Sequence, residues 1–216
     1  MTGRGDGRLF RPSTNPAVKL GLTLTTSSPT LDPSSSSPFF LIVTARILTS
    51  PRPNSAITLA THLNALGGLN NRSFNNIVCT SPVTESQKRI EIWPRGWPHY
   101  IWDADNLRES WEFVTVPANG MLETWHQVDR TKIAEAGLKA GERYQASLTN
   151  KCLGTRWWAL GSLEEFEGVR FRRWKEGEEG EGADDGGRYL MGGAPDDLAF
   201  VIEKETAEFE IGQMVE

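Results

Sequence analysis

Apolar and polar residues alternate with a period of two along much of the chain, which is the pattern of half-buried β-strands. The first such segment is residues 18–24, where every second residue is valine or leucine. Residues 39–48 carry apolar side chains in both alternating sets, which is typical of a central strand covered on two faces. The pattern therefore predicts a β-rich core with these two strands at its centre.

Further strand-like segments follow at short intervals, separated by turns rich in Pro, Gly and Asn. They begin at Ile57 and continue at residues 77–79, 89–93, 111–116, 121–128, 144–148, 156–160, 169–172, 198–202 and 209–211. One short helix is predicted from Ser162 to Gly168, because Ser162 and Glu165 have the spacing of a capping box. Short strands at this spacing predict a mainly β fold, an antiparallel β-sandwich with one short helix and long loops.

One turn resembles a motif of a known fold family. Leu138, Gly141 and Tyr144 stand at the spacing of a glycine turn that leads into a strand with a tyrosine near its start. This resembles the tyrosine corner of fibronectin type III and other immunoglobulin-like β-sandwiches, in which the hydroxyl bonds to backbone a few residues upstream. The resemblance implies a fold and no activity. An ordinary glycine turn before an amphipathic strand remains the alternative.

The 216 residues are long for one sandwich and short for two. Residues 1–15 offer little to bury and are predicted to be a disordered tail, followed by a single domain over residues 16–216. Residues 175–195 include a charged, glycine-rich stretch of low complexity, predicted to be an acidic insert that buries nothing. As a whole the chain resembles proteins of filamentous fungi that carry such inserts.

Charge and cysteine content limit the partners and the compartment. A net charge of −5 disfavours nucleic acid and anionic membranes, which need clustered basic residues. The first ten residues lack the apolar segment of a secretory signal, and no apolar run is long enough to span a bilayer, so a cytoplasmic location is expected. Cys79 and Cys152 are then expected to be reduced, although one bridge between them stays open.

The usual signatures of enzymes and cofactor sites are missing. His62, His99 and His126 are isolated from one another, and none has a His or Cys at metal-ligand spacing. The chain also has no phosphate-binding loop and no nucleophile elbow. No cofactor and no metal are therefore expected.

One Pro-broken segment concentrates aromatic and titratable residues. Its candidate ligand-binding residues are Trp93, Trp97, His99, Tyr100 and Trp102. His99 beside Asp103 or Asp105 is the weak candidate for acid–base chemistry. The alternative is that the tryptophans cover an open end of the fold.

Two other clusters have both structural and functional interpretations. Trp157 and Trp158 are adjacent on a strand and must point to opposite faces, so one ring is expected in the core and the other beneath the helix from Ser162, unless one is an exposed binding residue. The basic residues before the insert are expected to neutralise it, or else to bind an acidic partner peptide. They are Arg170, Arg172, Arg173 and Lys175.

Three functions remain. The first is a non-catalytic β-sandwich interaction module that binds a protein partner through loops or an edge strand, with a possible homodimer through an unpaired C-terminal strand. The second is a small-molecule or glycan-binding protein, or a cofactor-free enzyme, that uses residues 93–105. The third is an intracellular peptidase inhibitor.

Overall fold

The computed structural model describes residues 11–62, 64–67, 77–80, 90–91, 104–128, 139–148, 153–178, 180–204 and 206–213. The fold of these residues is mainly β, as the alternation predicts. The strands are β1 (Val18–Thr26), β2 (Thr30–Leu31), β3 (Phe40–Thr49), β4 (Ile57–Ala60), β5 (Ile77–Thr80), β6 (Ile90–Glu91), β7 (Phe113–Val116), β8 (Leu122–Gln127), β9 (Arg143–Leu148), β10 (Trp158–Leu160), β11 (Arg170–Arg172), β12 (Gly180–Asp184), β13 (Gly187–Met191), β14 (Leu198–Lys204) and β15 (Thr206–Ile211).

A four-stranded sheet holds the two strands predicted at the centre, in the order β14-β1-β3-β8. Leu20, Leu22 and Leu24 of β1 are fully buried, which confirms the period-two prediction for that strand. Both faces of β3 are buried at Ile42 and Val43, whereas Leu48 near its end is 38% exposed. The prediction of a strand covered on two faces therefore holds in the middle of β3 and is wrong at its end.

A five-stranded sheet, in the order β2-β15-β9-β5-β6, contributes to the same core. Its inward side chains, including Tyr144 and Phe209, pack in one cluster with the leucines of β1. The Phe39 and Phe209 rings, one from each side, have centroids 5.1 Å apart. Strand β15 lies between β9 and β2, so the prediction of an unpaired edge at the C-terminal strand is wrong.

A three-stranded sheet in the order β10-β4-β7 connects this core to a second one. Trp158 packs in the main core, whereas its neighbour Trp157 packs in a separate cluster with Phe166 and Phe171. Both indoles are buried, and each donates its N–H at 2.8 Å to a backbone carbonyl, Trp157 to Arg172 and Trp158 to Ala194. The prediction of opposite faces is confirmed, and neither ring is an exposed binding residue.

Three strand pairs run parallel, so the prediction of a purely antiparallel arrangement is wrong at those places. They are β1 with β14, β11 with β13, and β15 with β2. Period-two alternation identifies a strand and its buried face but carries no information on the direction of a distant partner. Antiparallel pairing holds for the other described pairs, including β1 with β3 and β3 with β8.

The predicted helix after Ser162 is a series of turns, and no α-helix occurs among the described residues. The capping-box contacts do form, because the Glu165 N–H donates to Ser162 Oγ and the Ser162 N–H donates to Glu165 Oε1, each at 3.2 Å. Gly168 has a φ of 72°, a left-handed conformation that ends the segment. Too few residues separate the cap from this stop to propagate a helix.

The low-complexity segment predicted to bury nothing contains an ordered hairpin, β12–β13, which pairs with β11. Leu190 and Met191 at its end are buried. Asp184 accepts hydrogen bonds from both Arg170 and Arg172. Desolvation raises the pKa of the Asp184 carboxyl, but the hydrogen bond from the Gly186 N–H and then those from the two guanidiniums bring it below its usual value. This part of the basic run is therefore neutralised by the acidic segment, as one of the two interpretations expects.

The predicted N-terminal tail and the cysteine pair are described only in part. Within residues 11–15, the Ser13 N–H donates to the Asp196 carbonyl at 2.7 Å. Residues 1–10 lie outside the described residues, as does Cys152, so the tail and the state of Cys79 and Cys152 stay predictions.

The turn before β9 has a hydrogen-bonded tyrosine. Tyr144 is fully buried, and its hydroxyl accepts the Lys139 N–H at 3.0 Å and donates to Glu142 Oε2 at 2.8 Å. Gly141, between them, has a φ of 77°. Burial raises the pKa of the Tyr144 hydroxyl. The hydroxyl thus bonds to backbone a few residues upstream, while Leu138 lies outside the described residues.

Tyr144→Phe is expected to lower the free energy of unfolding by about 1 kcal/mol, since it removes the acceptor of the Lys139 N–H but keeps the ring. Urea unfolding at pH 7.5 measures the change. Tyr189→Phe is the matched control, because its ring keeps the contact with the Arg172 guanidinium, 4.1 Å from the ring centroid. Equal losses in the two variants would contradict a role for the Tyr144 hydroxyl.

Candidate functional site

The aromatic segment predicted to bind a ligand is almost wholly outside the described residues. This applies to Trp93, Trp97, His99, Tyr100, Trp102 and Asp103. Asp105 is described and is exposed. The ligand-binding and acid–base assignments to this segment therefore stay predictions.

Two of the three histidines are described, and both are buried. His126 on β8 bonds through Nε2 to the Ala65 carbonyl at 3.0 Å, and burial lowers its pKa to about 4. Burial and then the Arg156 charge lower the pKa of His62 to about 4 as well. Each imidazole is thus neutral at pH 7. In the described part of the chain, no group of three or more His, Cys, Asp or Glu is arranged to hold a metal ion.

Among the described residues, strand β8 lies at the edge of its sheet. It pairs with β3 on one side, and no described strand pairs with it on the other. The Val128 N–H donates to the Phe39 carbonyl at 2.9 Å, which identifies the alternate residues whose backbone groups bond to β3. Alternate residues of an antiparallel strand bond to the partner, so the backbone N–H and C=O groups of Thr124 and His126 point towards β3. The backbone N–H and C=O groups of Glu123, Trp125 and Gln127 therefore point away from β3.

The same three residues carry the exposed side chains of this edge. Trp125 is 42% exposed, lies across from Ile42 and contacts the Phe40 ring edge-on with centroids 5.4 Å apart. Its indole N–H donates to Glu123 Oε2 at 3.3 Å. We call the edge of β8, with Glu123, Trp125, Gln127 and the adjoining Phe40, the β8 edge surface.

The other long edge strands carry features that discourage strand addition, such as charges, glycines and irregular pairing. Strand β14 has exposed charges at Glu203 and Lys204 and a register irregularity against β1. Strand β12 consists of Gly, Ala, Glu and Asp, none of them buried.

The Glu203 side chain also lies across Gly21 and binds Arg46. Strand β8 has no Lys, Arg or Pro and no register irregularity against β3. Among the described edges of five or more residues, β8 is the one with an exposed aromatic side chain, and its charged residue Glu123 accepts the Trp125 indole N–H.

Trp125 was not among the predicted binding residues, although the sequence contains a signal for it. Within residues 121–128, the alternation places Trp125 in the same set as Glu123 and Gln127, on the polar face of the strand. A large aromatic residue among exposed polar ones is a recognised mark of an interaction surface. The pattern alone could not show that the strand lies at an edge.

Comparisons with known protein families, with curated proteins and with solved structures found no significant match to this chain. Among the described residues, no helix is long and apolar enough to cross a membrane. The function is therefore inferred from the geometry of the described residues.

Proposed function

We propose that this protein is a non-catalytic β-sandwich interaction module that binds a protein partner by adding a strand of that partner to β8. The observation that carries the proposal is the open edge of β8 with an exposed tryptophan beside it. Strand addition uses backbone hydrogen bonds for affinity and side-chain contacts for specificity. The β8 edge surface offers both.

The sandwich and its immunoglobulin-like character are part of this proposal. Support for a sandwich comes from the shared core of the four-stranded and five-stranded sheets. Support for the immunoglobulin-like resemblance comes from the Tyr144 hydroxyl bond to the Lys139 N–H after the turn at Gly141. Both features would give β8 a rigid platform, since β3 beside it is anchored in the main core.

The free energy of strand addition would come first from backbone groups of β8 that no described strand pairs. Each of the three outward-facing residues of β8 presents one N–H and one C=O, and a partner strand would pair with all of them in a single register. Each such bond contributes about 0.5–1.5 kcal/mol net. Covering Trp125 adds apolar burial, and tryptophan is enriched among residues that dominate binding energy.

Photo-crosslinking in the cells that make the protein tests the proposal. A benzophenone amino acid at position 125 is expected to give a discrete, reproducible covalent adduct on irradiation. Val201 on β14, 38% exposed, is the matched control position, and the same amino acid there is expected to give no such adduct.

Two outcomes would contradict the proposal. The first is no adduct from position 125 while the protein is folded and present at its normal level. The second is the same set of adducts from positions 125 and 201, which would mean that the label reports collisions with abundant neighbours.

A further inference from the structure

We infer that the strand added to β8 belongs to β8 of a second copy of this chain, antiparallel to the first, with the two-fold axis at Trp125. This inference rests on the proposed function and names its partner. A two-fold interface uses the same surface on both copies, so the β8 edge surface must be complementary to itself. The requirement applies to the backbone of β8 and to the side chains on both of its faces.

The backbone of β8 meets the requirement. Glu123, Trp125 and Gln127 all face the open side, and they are evenly spaced about Trp125. An antiparallel copy centred on Trp125 pairs Trp125 with its own equivalent and Glu123 with the Gln127 of the second copy. All three outward-facing residues of each copy then exchange both backbone hydrogen bonds.

The side chains of the exposed face are also complementary in this register. The Glu123 carboxylate of each copy lies opposite the Gln127 side-chain amide of the other copy, which can donate a hydrogen bond to it. The two-fold axis repeats this pair at both ends of the interface. The two tryptophans meet at the centre, each backed by its own Phe40 at 5.4 Å. A register centred on Glu123 would instead oppose two carboxylates, which is unfavourable.

The described residues on the inward face of β8 are compatible with the pairing. Thr124 and His126 are buried beneath their own sheet, at 6% and 2% exposure. His126 is also neutral at pH 7, so it adds no charge to the buried face of the joined sheet. Two four-stranded sheets would thus continue into one sheet of eight strands.

Negative and positive substitutions at Gln127 are expected to change the dimer dissociation constant in opposite directions. A residue with only a structural role would not show this reversal. Gln127→Glu places two carboxylates opposite each other at both ends of the interface, and it is expected to raise the dimer dissociation constant about tenfold. Gln127→Lys places an ammonium opposite Glu123 and is expected to lower that constant several-fold. Sedimentation equilibrium of the full chain at pH 7.5, over a range of concentrations, measures all three proteins.

Gln213 is the matched control, since it is exposed and lies outside β8. Gln213→Glu and Gln213→Lys make the same changes in net charge and are expected to leave the dissociation constant unchanged. A wild-type protein that is monomeric at every concentration would overturn the inference, as would Gln127→Glu and Gln127→Lys shifting the constant in the same direction.

The crosslinking experiment separates self-association through β8 from binding of a different protein partner. An adduct from position 125 with twice the chain mass supports this inference, whereas one with a different protein overturns it and leaves the interaction module standing.

Discussion

Trp157→Ala is expected to lower the free energy of unfolding by about 3–5 kcal/mol, the range for truncating a fully buried tryptophan. The Trp157 ring stacks on Phe171 with centroids 4.3 Å apart and meets Phe113 edge-on at 5.2 Å. An added Cβ at Gly192 would be 2.5 Å from the indole, so backbone fills the space on that side. The substitution therefore leaves a cavity walled by rigid groups and removes the donor to the Arg172 carbonyl.

Trp125→Ala provides the matched control, because the same truncation at the exposed position of β8 opens no cavity. Its expected cost is within about 0.5 kcal/mol, as for surface substitutions generally. Guanidinium unfolding of both variants at one low protein concentration measures the difference. Similar costs at the two positions would contradict the assignment of Trp157 to a second core.

Acid is expected to destabilise the protein between pH 6.5 and pH 4 through its buried histidines. The pKa of His126 is about 4 in the folded protein, against an ordinary value of 6.5 in the unfolded chain. Above pH 6.5 the His126 imidazole is neutral in both the folded protein and the unfolded chain, so its protonation does not lower the free energy of unfolding. As the pH falls towards 4, the unfolded chain takes up a proton that the folded protein does not, and His126 alone costs about 3 kcal/mol over that interval.

His126→Gln tests the assignment, because it removes this proton uptake. The variant is expected to be less stable than the wild type at pH 7.5, yet to lose less stability between pH 6.5 and pH 4. His62, whose pKa is also about 4, is still present in the variant and maintains part of the dependence of the free energy of unfolding on pH. Unfolding free energies in urea at four pH values measure both quantities. Parallel curves for the two proteins would show that His126 does not titrate in this interval.

Local alternation was enough to predict most of the strands and the faces they bury. A period of two predicted the burial of Leu20, Leu22 and Leu24. Adjacency in an extended segment predicted that Trp157 and Trp158 point to opposite faces, although β10 itself begins at Trp158. Both patterns report which side chains leave water, a property of each residue and its near neighbours.

Features that depend on distant partners were not predicted. Neutralisation of the basic run by the acidic segment was one of the two interpretations, and Asp184 bonds to Arg170 and Arg172 as it expects. Composition did not indicate that the segment forms the β12–β13 hairpin and pairs with β11. The openness of β8 likewise depends on which strand lies beside it. Trp125 thus stood in a correctly predicted strand without being recognised as a candidate binding residue.

The parallel pairing of β1 with β14 also constrains how the protein folds. Residues 18–23 of β1 pair with residues 198–204 of β14, across most of the length of the chain. Contacts between residues so distant in sequence close a long loop, which slows folding relative to a hairpin. During synthesis β1 can pair with β3 early, but its other edge must wait for β14 to leave the ribosome. Until then, one edge of this leucine-rich strand stays unpaired and exposes the nascent chain to aggregation.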